Sequence, residues 1–269
     1  MVVEILGAWL SNSLALLADA GHMLSDAAAL ALSLFAIWAA SRPASAGRTF
    51  GYYRAEILAA LVNGAVLLVI ALFIFLEAIE RIRHPPEVAG PLMLAVACGG
   101  LAMNLVGLGI LSNGRSYSLN VRGAWLHVLS DALGSVGAII SGVLIWQFDW
   151  YWADPGASLV IAIFIVHAAW ALLRETVAVL MESAPGHIDV DEVRTAMRGL
   201  ESVVEVHDLH VWTITSGMES LSAHVVATAE RDGDALLGEI RGLLHRRFGI
   251  DHVTIQIESA GIEECAPCE

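Results

Sequence analysis

Long apolar runs separated by short polar breaks fill the first two-thirds of the chain, and the runs shorten after Glu182. Crossing a bilayer takes about 20 residues of helix. Five runs reach that length, at 14–40, 56–79, 91–111, 121–148 and 155–173. Residues 1–10 are apolar but too short to cross, and the turn signal Ser11-Asn12-Ser13 follows them. They read as the end of a first membrane helix whose beginning is missing. A cleaved signal peptide is the alternative, but it would carry a basic n-region, which is absent. Trp150-Tyr151-Trp152 reads as an interfacial aromatic belt.

The pattern after residue 182 is that of a small globular domain. Residues 189–200 have helical periodicity with an acidic first turn. Residues 203–215 and 219–229 read as strands around a Ser216-Gly217 turn, 234–248 as a helix, and 253–258 as a strand. The order αββαβ predicts an α/β sandwich with a modest core, for which pairing with a second copy is expected. The predicted organisation is a transmembrane domain at 1–182, a small α/β domain at 183–258 and a cysteine-containing tail at 259–269.

Composition agrees with a membrane class. The chain is 57% hydrophobic and 16% charged, with a mean hydropathy of +0.68, which excludes an ordinary soluble domain. Residues 175–269 hold 18 acidic residues against 6 arginines. That imbalance argues against nucleic acid and anionic lipid as partners of this part and suits a surface that handles cations. All 14 basic residues are arginine, and six of them lie in 41–54, in 113–122 and at Arg174. The positive-inside rule then places the C-terminal domain in the cytosol. The three cysteines, Cys98, Cys265 and Cys268, give no disulfide framework. The Cys265-x-x-Cys268 pair would bind a soft metal while reduced.

The candidate chemistry lies inside two of the apolar runs. His22 and Asp26, and again His127 and Asp131, stand four residues apart. That spacing turns the two side chains only about 40° from each other on a helix, so each pair shares a face. A carboxylate in hydrocarbon costs roughly 3 kcal/mol or more and signals function by default. Two imidazoles and two carboxylates complete a tetrahedral site for zinc. The second and fifth spans run in opposite directions. At about 1.5 Å per residue, His22 lies roughly 13 Å and Asp26 roughly 20 Å from the outer side. Asp131 and His127 lie roughly 15 and 21 Å from that side of a core about 30 Å thick. Antiparallel packing therefore levels His22 with Asp131, and Asp26 with His127, while Gly134, Ala138 and Gly142 permit close helix approach. The structural alternative is that each pair is an interhelical strut. Asp19, on the same helical face, reads as a partner that supports the ligands or as a polar entrance group rather than a ligand; Asn63, Asn104 and His167 read as packing or hydrogen-bonding groups.

Three stretches, residues 14–26 (LALLADAGHMLSD), 49–58 (TFGYYRAEIL) and 118–131 (SLNVRGAWLHVLSD), resemble the cation diffusion facilitators. The resemblance covers nearly the whole chain. It implies a homodimeric six-helix transporter bundle with a cytosolic ferredoxin-like αββαβ domain, exchanging a divalent cation for protons across a bacterial inner membrane. It places the transport site at His22, Asp26, His127 and Asp131, with the His-Asp pairs of the zinc-preferring branch. It also matches His207, His224 and Glu258 to cytosolic zinc positions, sets Asp251 where several relatives have His, and matches Cys265 and Cys268 to a metal-binding tail pair. Zinc is then the substrate, and also an ion for structural or regulatory sites. The region 41–54 has Arg48 and no His, and 113–122 lacks a His-rich tract. Strand alternation is expected to put His207 and Trp212 on opposite faces. The alternatives are an intramembrane zinc hydrolase, for which no His-Glu-x-x-His motif is present, and a membrane-anchored metal sensor.

Overall fold

The computed structural model describes residues 2–112, 119–228 and 232–259; some helical side chains, that of His127 among them, lie outside this description. Among the described residues the elements are α1 (Val2–Ser11), α2 (Leu14–Ala40), α3 (Ala55–Arg83), α4 (Gly90–Ser112), α5 (Leu119–Phe148), α6 (Ala153–Leu180), α7 (Val190–Arg198), β1 (Val203–Thr215), β2 (Met218–Ala227), α8 (Gly233–Phe248) and β3 (His252–Ser259). They fall into two compact units, Met1–Leu32 with Val62–Leu173, and Ser33–Leu61 with Arg174–Glu269.

The first unit is a helix bundle. Four of its helices, α3, α4, residues 131–148 of α5, and α6, are long and apolar enough to cross a membrane. The 27 residues of α2 extend about 40 Å, also more than a bilayer core. Two apolar clusters hold the unit together, and α2 contributes to both. Leu14 and Ala18 pack with Leu67, Ala71 and Ile74 of α3 and with Ala162, Ile165 and Ala169 of α6. Ala15 and Leu16 pack with Ala8 of α1, Met93 and Ala97 of α4, and Ala138 and Ile145 of α5. Small residues set the α4–α5 distance: a Cβ on Gly142 would lie 3.3 Å from the Leu94 backbone nitrogen. Van der Waals packing of this kind is what joins helices where lipid removes the hydrophobic drive. Outward-facing Phe73, Met103, Ile110 and Phe164 are exposed, as lipid-facing side chains are. The helices outrun the apolar runs, α3 to Arg83 and α6 through Arg174 and Glu175 to Leu180. Apolar length marks the membrane crossing, whereas backbone hydrogen bonding carries the helix further.

In the second unit the strand order is β1-β2-β3, with β1 antiparallel to β2 and β2 parallel to β3. The helix α8 makes the crossover that a parallel pair requires. One sheet face is apolar, with Val206, Leu209, Val211, Leu221, Ala223 and Val225 closing on Val193 and Met197 of α7 and Leu236, Ile240 and Leu244 of α8. Asp189 caps α7 by accepting from the nitrogens of Asp191 and Glu192, and Gly249 ends α8 at φ 70°. In the same unit Glu56 accepts from the Thr215 and Ser216 hydroxyls at 2.8 and 2.9 Å, and Arg54 pairs with Glu182 at 2.8 Å.

The alternation expected along β1 is corrected by a bulge. His207 pairs with His224, but His210 pairs with Ser222, so two residues of β1 stand against one of β2. Asp208 sits at that irregularity with φ 48°. The extra residue returns His210 and then Trp212 to the face that carries His207, because all three oppose alternate positions of β2. His207 and Trp212 are therefore on the same face, opposite the apolar core.

Candidate metal centres

The centre in the helix bundle is built by α2 and α5. His22 Nε2 lies 3.7 Å from Asp26 Oδ2 and 3.8 Å from Asp131 Oδ1. One ligand atom from each residue falls within 4.8 Å of the others. Those distances exceed a hydrogen bond. They are close to the roughly 3.4 Å that separates two donors bonded at about 2.0–2.1 Å to one tetrahedral zinc. Asp131 is the most enclosed of the three, with 12% of its side chain exposed, against 24% for His22 and 31% for Asp26. His127 is in α5 four residues before Asp131; its side chain lies outside the described residues.

A cavity of about 600 Å³ reaches this centre. Its wall includes Asp19, His22 and Asp131, the aromatic Trp150 and Trp152, and apolar residues of α5 and α6. Gly134 keeps the wall open, since a Cβ there would come within 3.3 Å of Asp19 Oδ1. Next to the ligands, the buried Ser25 hydroxyl donates to Asn63 Oδ1 at 3.0 Å, tying α2 to α3. Asn104 Nδ2 reaches Ser135 Oγ at 3.5 Å, and His167 is exposed on α6. His167 belongs to neither ligand group among the described residues.

The second centre is on the open face of the sheet. His207 and His224 are cross-strand partners, and Glu258 stands beside Val226 on β3. His207 Nε2 lies 3.1 Å from Glu258 Oε2, and His224 Nδ1 lies 3.0 Å from Glu258 Oε1. The His224 contact lacks hydrogen-bond geometry in spite of its length. Two imidazole nitrogens and a carboxylate thus face one another as a metal-ligand set. Burial opposes the charge on Glu258, but hydrogen bonds with Gln256 and His207, and the imidazoles alongside, outweigh burial and hold its carboxyl below the usual glutamate range. A carboxylate held low stays charged as pH falls, until that lowered value is crossed.

Asp251 is placed elsewhere. It precedes β3 whereas Glu258 is near its end, roughly 20 Å away at about 3.3 Å per residue. Its carboxylate meets His245 Nδ1 at 2.6 Å instead. Cys265 and Cys268 lie outside the described residues. Sequence reading missed Asp208, which stands 3.0 Å from His210 Nε2 and 3.7 Å from His224 Nε2. Its signal was an acid between two strand histidines, readable only once the bulge is known.

Apolar helices that gather ion-spaced nitrogen and oxygen donors define an integral membrane protein built to handle a divalent cation. The chain belongs to the cation efflux family, the cation diffusion facilitators: residues 1–181 match the cation efflux transmembrane domain and residues 185–260 match the cation efflux protein cytoplasmic domain. The C-terminal domain is accordingly cytosolic. Among its relatives is the cadmium, cobalt and zinc/H(+)-K(+) antiporter of Bacillus velezensis, 46% identical over 97% of this chain and 84% of that protein. The metal cation efflux system protein CzcD of Cupriavidus metallidurans is 43% identical over 100% of this chain and 84% of its own length. The zinc transporter ZitB of Escherichia coli is 44% identical over 96% and 83%. A solved metal-bound C-terminal domain of the CzcD transporter is 39% identical, covering 26% of this chain and 99% of that one, with a TM-score of 0.26.

Proposed function

We propose that this chain is a zinc/proton antiporter that moves zinc out of the cytosol by alternating access, working as a homodimer in a bacterial inner membrane. The observation that carries the reading is the set of His22, Asp26 and Asp131 donors at ion-bridging spacing within apolar helices. His127 supplies the fourth ligand from the same helix as Asp131. Two nitrogens and two oxygens favour a borderline cation such as zinc over hard magnesium or calcium. Cadmium and cobalt, which appear in the name of the Bacillus velezensis relative, are accepted by the same donor types.

The two carboxylates balance the charge of the ion, so the loaded centre carries no net charge through the low-dielectric interior. When the ion leaves, protons compete for the lone pairs it held, since only a neutral imidazole or an ionised carboxylate binds metal. That competition links the two fluxes. The cytosolic His207, His224 and Glu258 centre binds a further zinc that stabilises or regulates the domain pair.

In proteoliposomes with the cytosolic side outward, an acidic interior is expected to drive zinc inward and to lose that effect when the pH gradient is collapsed. Metal-dependent product formation without flux would establish a hydrolase instead, and binding without flux a sensor.

A further inference from the structure

Outside both metal centres, the least exposed charged side chain among the described residues is Asp154, at 0%. It lies in the first turn of α6, yet its carboxylate accepts three hydrogen bonds from the start of α2. Ser13 Oγ donates to Asp154 Oδ1 at 2.5 Å, the Leu14 nitrogen to Oδ2 at 2.7 Å, and the Ala15 nitrogen to Oδ1 at 3.1 Å. Ser13 in turn accepts from the Leu16 nitrogen at 3.2 Å. The free backbone donors of α2 are thus satisfied by a carboxylate from another helix, placed at the positive end of the helix dipole. The third member is α3. Arg81 lies 4.0 Å from Asp154, donates to the Asn12 carbonyl at 2.6 Å and to its side chain at 3.2 Å, and is itself held by Glu77 at 2.9 Å. Asn12 adopts φ 58° in the turn that these contacts fix.

This junction bears on transport because α2 carries His22 and Asp26. Leu14, whose nitrogen belongs to the junction, and Ala18, one turn further on, pack on the same two helices, α3 and α6. The cavity that reaches His22 and Asp131 is walled mainly by α5 and α6, and Ser13, Leu14, Arg81 and Asp154 are not among its lining residues. We propose that Asp154 is a positioning residue for the transport site: it fastens this end of α2 to α6 and keeps it fastened through the cycle, so that the ion passes along the α5–α6 cavity. The inference rests on the transport reading given above.

Asp154→Asn keeps the size and an acceptor but removes the charge. It is expected to lower the zinc exchange rate about tenfold, the effect of losing an interhelical cap and its dipole contact, while leaving half-saturation by zinc within about twofold, because no ligand changes. The decisive variant is the pair Ser13→Cys with Asp154→Cys. Reduced, it is expected to be as slow as Asp154→Asn; oxidised to a disulfide, shown by intact mass, it is expected to recover most of the wild-type rate. The single cysteine variants, oxidised in parallel, control for the native thiols. Three outcomes would overturn the proposal: wild-type exchange in Asp154→Asn, a shift of half-saturation with no change in rate, or further inhibition on oxidation, which would mean that the junction must open. Absence of zinc exchange in the wild-type protein would instead remove the transport reading itself.

Discussion

Asp131→Asn is expected to lower zinc exchange by at least about 100-fold while the protein still inserts and purifies as a single species. The substitution preserves shape, so the bundle has no cavity to collapse. It removes one of the two charges that balance the ion and leaves a neutral amide oxygen, a weaker ligand, in place of the carboxylate. Loss of groups that merely orient a ligand weakens metal sites by about 10–100-fold, and loss of a ligand should exceed that. Asp131 is also the most enclosed of the three described donors, so water cannot readily take its place. His22→Ala and His127→Ala should be equally severe. Asp19→Asn, which alters only the cavity wall, should lower the rate far less. Initial rates in proteoliposomes, normalised to protein inserted, decide the matter; wild-type flux in Asp131→Asn would exclude it as a ligand.

The second large effect belongs to the cytosolic domain. Zinc at 100 times its dissociation constant stabilises a protein that binds it only when folded by about 2.7 kcal/mol. A small domain gains about 4–8 °C in Tm per kcal/mol, so zinc should raise the unfolding temperature of the sheet by on the order of 10 °C or more. His224→Ala should abolish that rise and remove one zinc per chain, because His224 opposes both His207 and Glu258. Hydrogen exchange of β1 and β2 in the full chain, with and without zinc, reads the domain separately from the bundle. An undiminished zinc response in His224→Ala would show that the ion binds elsewhere.

Much of this was written in local pattern. The αββαβ order follows from a switch between periods of about 3.6 and 2, and the observed strands begin and end within two residues of the sequence boundaries. The nearness of His22 to Asp131 follows from helix rise and opposed direction alone, because apolar runs in a bilayer have few ways to pack. What could not be read depends on neighbours distant in sequence. Nothing in the alternation of 203–215 announces a residue in the left-handed region at Asp208, yet that one residue moves His210 and Trp212 to the His207 face. Asp154 precedes Pro155 at a helix start, and nothing in that placement announces partners some 140 residues away. Asp251 stood near Glu258 in sequence, but an extended strand carries the two apart.

The most direct measurement is the position of zinc itself. Anomalous diffraction at the zinc edge from the full-length protein should show an ion between α2 and α5, bonded at about 2.0–2.2 Å to His22, Asp26, His127 and Asp131. A protein that transports zinc but shows no ion touching both helices would contradict the shared centre on which every other expectation depends.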